Sequence, residues 1–284
     1  MTDPAAPPPL SDEALAREST AAKRRLRRHR WLIIALRVLV LIVALGGWEL
    51  AARRQWIDPF FYAMPSAIWA QIVEWLREGT AQGPLWLQVL VTLEETVLGF
   101  LIGAAAGILC GIVLGRIKLL SEVFSLYIQI ANSIPRVVLG SVFVIALGLG
   151  MASKVALAVV MVFFVVFANA FQGVREADKY MIANAQILGA SPMKVTTAVV
   201  IPSAMSWILA SLHVSFGFAL VGAVVGEFLG AKQGIGLLIS TAQGAFNAAG
   251  VFAAMIVLAV VALLADFLLT TAEKRLLKWR PQAF

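Results

Sequence analysis

The chain has 284 residues, of which 61% are hydrophobic and 14% charged, with a net charge of +7. A soluble domain carries about 45–50% apolar and about 25% charged residues; here the apolar excess lies in long runs, which excludes a water-soluble globule and points to a membrane protein. The basic residues flank those runs, an orientation signal rather than a nucleic-acid surface, and one cysteine, Cys110, with two histidines, His29 and His213, makes a Cys/His metal site a poor reading.

Residues 1–22 are rich in Pro, Ala and charge and include Pro7-Pro8-Pro9. That composition cannot bury a core, so residues 1–30 are expected to form a disordered tail ending in the basic block Lys23 to Arg30. An apolar stretch follows from Trp31 to about Ala52. It reads as a retained first span rather than a secretory signal, because the basic block starts late, the apolar run is long and no clear small-x-small cleavage site ends it. The remainder, 31–284, is expected to be one transmembrane permease domain with further spans at about 86–114, 123–149, 153–172, 200–229 and 250–271. Each is long enough to cross about 30 Å of hydrocarbon. The expected fold class is therefore an all-α polytopic membrane protein with six transmembrane helices.

The charge distribution supports that count. With the N-terminus inside, the inner segments hold 16 Lys and Arg and the outer segments 5, while Arg37 and Arg136 fall within spans. Both termini are then cytoplasmic. Between the first and second spans, Pro59 and Pro65 break the chain, and Ile68, Trp69, Ile72, Val73, Trp75 and Leu76 recur at helical spacing. This predicts an amphipathic helix at the outer interface, a level that suits Trp.

In the second span Gly99, Gly103, Gly107, Gly111 and Gly115 recur every four residues and form one stripe without side chains. Lipid supplies no hydrophobic force between helices, so close backbone approach is the available stabilisation. The stripe reads as helix packing within the subunit, with a pathway lining or a dimer contact as alternatives. The loop 173–195 is the longest charged interruption on the inner side. Residues 176–188 are expected to form a short helix with Met181, Ala185 and Leu188 on one face, ended by Gly189 and followed by a new element at Pro192. A partly apolar helix exposed to water wants a partner.

This loop resembles the cytoplasmic loop of the membrane subunits of ATP-binding-cassette importers, whose pattern is E-A-A-x3-G-x9-I-x-L-P. Ala183-Asn184-Ala185, Gly189 and Val199-Val200-Ile201-Pro202 match its spacing, while Ala183 and Asn184 depart from its first two residues, so no carboxylate contact is expected at Ala183. The likeness covers about 50–284 and is closest to the branch importing nitrate, sulfonates, taurine, bicarbonate or pyrimidine precursors. Met64-Pro65-Ser66, Ile134-Pro135-Arg136, Gly148 with Ser153-Lys154, Gly173-Val174-Arg175, Val225-Gly226-Glu227, Gly234-Ile235-Gly236 and Arg275 to Arg280 carry it. The resemblance implies a type I importer transmembrane architecture with a coupling helix in a bacterial inner membrane. It implies a homodimer, two ATPase subunits and a periplasmic or extracellular solute-binding protein. It places ATPase coupling on Glu176, Tyr180, Met181, Asn184, Ala185, Leu188, Gly189, Ala190 and Ser191. The chain has no G-x-x-x-x-G-K-[ST] phosphate loop, so it is expected to hold no cofactor, with ATP and Mg bound by the partner ATPase.

Charges inside spans cost about 2.5–3.5 kcal/mol at mid-helix, which singles out Glu94, Glu95, Arg136, Glu227 and Asp266. Glu94 and Glu95 stand about 13 Å from the outer end of their span, at 1.5 Å per residue, within reach of an outer vestibule. Arg136 follows Pro135, where the helix is interrupted; it either attracts an anionic solute or pairs with an acidic side chain or a freed carbonyl. Asn132, Ser133, Arg136, Asn169 and Glu227 are the candidate pathway residues, although single polar residues in spans also serve as interhelical hydrogen bonds. The functional expectation is an importer permease for a small anionic solute. A secondary transporter with Glu227 or Asp266 as proton carrier is the alternative. No paired-His motif or G-x-S-x-G elbow supports an enzyme.

Overall fold

The computed structural model describes residues 12–276, with side-chain surroundings described for 27–271 apart from Asn132. Helices account for nearly all of the described chain, which divides after Ser66 into two compact units.

The first unit holds α1 (Asp12–Arg53), α2 (Pro59–Tyr62) and the start of α3 (Pro65–Arg77). Helix α1 begins inside the segment for which composition predicts disorder; residues 1–11 lie outside the described part. The stretch after Asp12 is rich in Glu, Ala and Leu, strong helix formers that outweigh the Pro-rich lead. Asp58 caps α2, its Oδ1 accepting the Phe60 N–H at 2.9 Å, with Pro59 preset for the first helical position. Glu49 accepts the Ser66 N–H at 3.0 Å and its hydroxyl at 2.8 Å, and also takes Arg53 Nε at 2.7 Å. The Met64-Pro65-Ser66 signature thus serves as an N-terminus capped by a carboxylate from α1.

The second unit is built on α4 (Leu85–Arg116), α7 (Met151–Arg175) and α10 (Ile201–Leu229), around Ala104, Val162, Val166 and Ala219. The glycine stripe of α4 lies against α7 throughout. A Cβ at Gly107 would stand 2.9 Å from the Phe163 carbonyl oxygen, one at Gly111 2.6 Å from Ala170 Cβ, and one at Gly115 2.9 Å from Val174 Cβ. A Cβ at Gly99 would collide with Ala158, and from the other side a Cβ at Gly222 of α10 would stand 2.6 Å from Ala158 Cα. Ala158 is therefore the point where three helix backbones converge, and dispersion between them replaces the missing hydrophobic force.

The expected third span, 123–149, is not one straight helix. Helix α5 (Lys118–Ser133) ends before Pro135, a 3-10 turn covers Arg136–Val138, and α6 (Leu139–Leu147) continues at 74° to it. Ile134 is extended (φ −76°, ψ 126°), as the Pro135 ring demands of the residue before it. Five described helices are long and apolar enough to cross a membrane, or six if this bent pair makes one crossing. The expected fifth span, from 200, begins earlier. Helix α9 (Pro192–Val195) runs through a π turn, Thr196–Val200, into α10, and the Ile201 N–H reaches back to the Thr196 carbonyl. Pro202 has no N–H to offer, and the widened turn absorbs that loss.

The segment 230–249, expected on the outer side, contains an unforeseen helix, α11 (Ile235–Gly244), followed by α12 (Ala248–Leu276). Ile235 and Leu238 bury beside Leu85, Ala254 and Val261, with Trp75 of α3 packed against them. Asn247 donates to Gln71 Oε1 at 3.1 Å and adds a polar tie between α3 and this end.

Candidate functional site

Two arrangements of side chains stand out, one on the loop after α7 and one buried where α4, α10 and α11 meet. In the loop, Asp178 accepts the Tyr180 N–H at 2.7 Å and caps α8 (Lys179–Ile187). That cap starts the helix three residues later than the expected 176, so Glu176 lies outside it, accepting from Gln172 Nε2 at 2.7 Å. Gly189, at φ +79°, ends the helix: its N–H bonds the Gln186 carbonyl at 2.9 Å and the Ala190 N–H bonds that of Ala185 at 3.0 Å. Ser191 then caps α9, accepting the Lys194 N–H at 3.3 Å, with Pro192 next. Leu-Gly-Ala-Ser-Pro is thus a stop, a turn and a start within five residues.

The inner side of α8 leans on the bundle. Ile182, Ala185 and Ala190 pack against buried Val195, Val200, Ala204 and Ala177. The outer side carries Tyr180, Met181, Ile187 and Leu188, the last 86% exposed, with Asn184 among them. The three residues expected on one face are therefore divided: Met181 and Leu188 point out, while Ala185 is half-buried. Beside Leu188, an open pocket of about 520 Å³ is lined by Gly189, Ala190, Ser191, Lys194 and Val199 among others. Arg116 at the end of α4 ties this segment to the bundle, its Nε donating to Thr196 Oγ1 at 2.8 Å.

The second arrangement centres on Glu227, which is fully buried. Its Oε1 accepts the Thr92 hydroxyl at 2.7 Å and its Oε2 accepts the Gly236 N–H at 2.7 Å. Thr92 Oγ1 in turn accepts the Ile235 N–H at 2.9 Å, and Gln88 Oε1 accepts the Gly234 N–H at 2.8 Å. Three successive backbone donors of the α10–α11 turn are thereby held by side chains of α4 and α10. Gly234 sits at φ +117°, and a Cβ there would strike the Glu227 carboxylate, which explains the glycine. The Glu95 carboxyl, 3% exposed, interacts with that of Glu227 and leaves Oε2 without a hydrogen bond. Lys154, 1% exposed, lies within electrostatic range of both acids and donates to the Leu149 and Gly150 carbonyls at 2.8 and 3.1 Å. Ser153 Oγ closes the same turn on the Gly148 carbonyl at 2.8 Å.

The candidate pathway residues are dispersed. Glu227, counted among them, has no solvent-facing surface, and its carboxylate accepts from α4 and from the turn into α11. Arg136 is half-buried with its guanidinium 5.0 Å from the Phe164 ring centre. Ser133 and Asn169 donate to the Gln129 and Val165 carbonyls of their own helices, at 3.0 and 2.9 Å. Asn132 lies outside the described side chains. Of the acids expected near an outer vestibule, Glu94 is exposed and Glu95 is buried. Asp266 stands 3.5 Å from His213 Nε2, linking α12 to α10. Gln88 and Thr92 were not singled out from the sequence, although they extend the glycine face of α4 upward at helical spacing.

Residues 99–278 match the family described as binding-protein-dependent transport system inner membrane component. The permease protein SsuC of Bacillus subtilis (strain 168), named for aliphatic sulfonates transport, is 27% identical over 266 residues, 93% of each chain. The taurine transport system permease protein TauC of Escherichia coli (strain K12) is 28% identical, covering 90% of this chain and 94% of its own. The formylaminopyrimidine transport permease protein ThiX of Halalkalibacterium halodurans is 29% identical, covering 82% and 91%. A crystal structure of an amino acid ABC transporter with histidines shares the fold at a TM-score of 0.51 and 20% identity, over 66% of this chain and 92% of that one.

Proposed function

This chain belongs to the family of binding-protein-dependent transport system inner membrane components, and from that footing we propose that two copies of it form the translocation pathway of an ATP-driven importer. It is a multi-pass membrane transport component that works with a solute-binding protein and an ATPase. In the proposed assembly two ATPase subunits bind ATP and Mg and dock on the two α8 helices from the cytoplasm, where both chain termini lie. The binding protein delivers solute to the opposite face. Family membership does not favour the alternative of an ion-gradient-driven carrier.

The observation that carries this reading is the outward face of α8. Tyr180, Met181, Ile187 and Leu188 are exposed on a helix fixed at both ends by Asp178 and Gly189 and backed by a buried core. Large apolar side chains held rigidly in water mark a partner surface. Closure of a docked ATPase pair moves such a helix as a lever, and α9 with its π turn passes the motion into α10. Inward- and outward-facing states separated by a few kcal/mol are then switched by nucleotide.

The solute in this reading is a small anion. Two relatives are named for sulfonates and taurine, and Arg136 places a cation at the break in the bent span. The coupling assignment is tested by Gly189→Glu. Position 189 has open space around it but a left-handed backbone, so the change alters the α8 exit and its charge without crowding the bundle. The variant is expected to insert normally and to capture the ATPase about tenfold more weakly, the equivalent of about 1.4 kcal/mol. Undiminished capture together with undiminished transport contradicts the assignment.

A further inference from the structure

Three candidate spans end around one basic pocket. Helix α4 finishes at Arg116, α5 starts at Lys118 and α7 finishes at Arg175. Between them lies a pocket of about 330 Å³ lined by Arg116, Lys118, Ser121, Glu122, Ser125 and Arg175. Because the ends of the spans meet there, the pocket sits at the depth of lipid headgroups rather than of acyl chains. We propose that it binds the phosphate of an anionic phospholipid.

The chemistry suits a phosphodiester. Three cations face one carboxylate, an excess of two positive charges. Arg175 lies with its guanidinium carbon 5.4 Å from the Phe171 ring centre, so an aromatic face fixes it, and among the described residues none accepts a hydrogen bond from it. Arg116 spends its Nε on Thr196 and one terminal nitrogen on the Pro192 carbonyl at 3.5 Å, keeping the other nitrogen for a ligand. Lys118 and Glu122 are 3.8 Å apart, with side chains 92% and 65% exposed. A pair that open contributes little, so a phosphate exchanges for it readily. No side chain caps the start of α5, so its first-turn N–H groups add to the positive field. Basic pockets between membrane helices on the cytoplasmic side take anionic headgroups for these reasons.

The site depends on the chain lying in a bilayer and not on the ATPase assignment, so the two readings fail separately. Delipidated protein in neutral detergent is titrated with phosphatidylglycerol or phosphatidylcholine and the retained lipid is weighed by native mass spectrometry. The wild-type chain is expected to retain one phosphatidylglycerol in preference to phosphatidylcholine. The double variant Lys118→Gln, Arg175→Gln is expected to lose about thirtyfold in that preference, and Lys232→Gln, which lies outside the pocket, none. If the double variant does not fold, Lys118→Glu at a surface position carries the same expectation of loss. Equal retention of both lipids by the wild type overturns the proposal, as does an unchanged preference in the pocket variant. Complete displacement of the lipid by millimolar inorganic phosphate, with phosphate itself retained, identifies a free-phosphate site and also overturns it.

Discussion

At the scale of single residues, Thr92 carries more of the architecture than its size suggests. Its hydroxyl donates to Glu227 and accepts from Ile235, so one atom joins α4, α10 and the turn into α11. Thr92→Val keeps the shape but leaves a buried carboxylate oxygen and a buried N–H unpaired, a loss of about 2–5 kcal/mol. The expected result is a lower unfolding temperature in detergent, with Thr92→Ser restoring most of it. Gly234→Ala places a methyl group against the Glu227 carboxylate in a backbone conformation that alanine resists. It is expected to destabilise by at least about 1–3 kcal/mol, read from the same thermal assay. Equal melting of wild type and both variants contradicts the clamp.

At the scale of elements, the α4–α7 contact is steric. The atoms facing Gly111 include the Phe167 carbonyl oxygen at 2.9 Å and the Phe171 nitrogen at 3.0 Å, backbone that no rotamer change moves aside. Gly111→Leu is therefore expected to separate the two helices and reduce the yield of folded protein severalfold, measured by size-exclusion profile; Ala at Gly217, where a Cβ meets nothing within 4 Å, is the neutral comparison. This contact was legible in the sequence because an interval of four places every glycine on one helical face. The end of α8 was equally legible, since Gly189 and Pro192 are local signals. The clamp was not: Gln88 and Gly234 are 146 positions apart, and nothing local in either segment names the other. The broken span was legible only in part. Pro135 marks the place, but an apolar run continues through it, and hydropathy alone reads one straight crossing where a 74° bend occurs.

At the scale of the whole molecule, the positive-inside distribution predicts that Lys179 and Lys232 face opposite sides of the membrane. Cysteines placed at these positions in a Cys110→Ser background are expected to react with an impermeant maleimide from opposite faces of the cell membrane. Labelling of both from one side contradicts the topology. In the proposed mechanism this chain does no work unaided and receives it through α8. The direct measurement is solute accumulation in proteoliposomes containing this chain with its ATPase and binding protein, compared with this chain alone. Accumulation is expected to depend on ATP in the complex, to be lost in Gly189→Glu, and to be absent for the chain alone under a proton or sodium gradient. Accumulation by the isolated chain without nucleotide contradicts that mechanism.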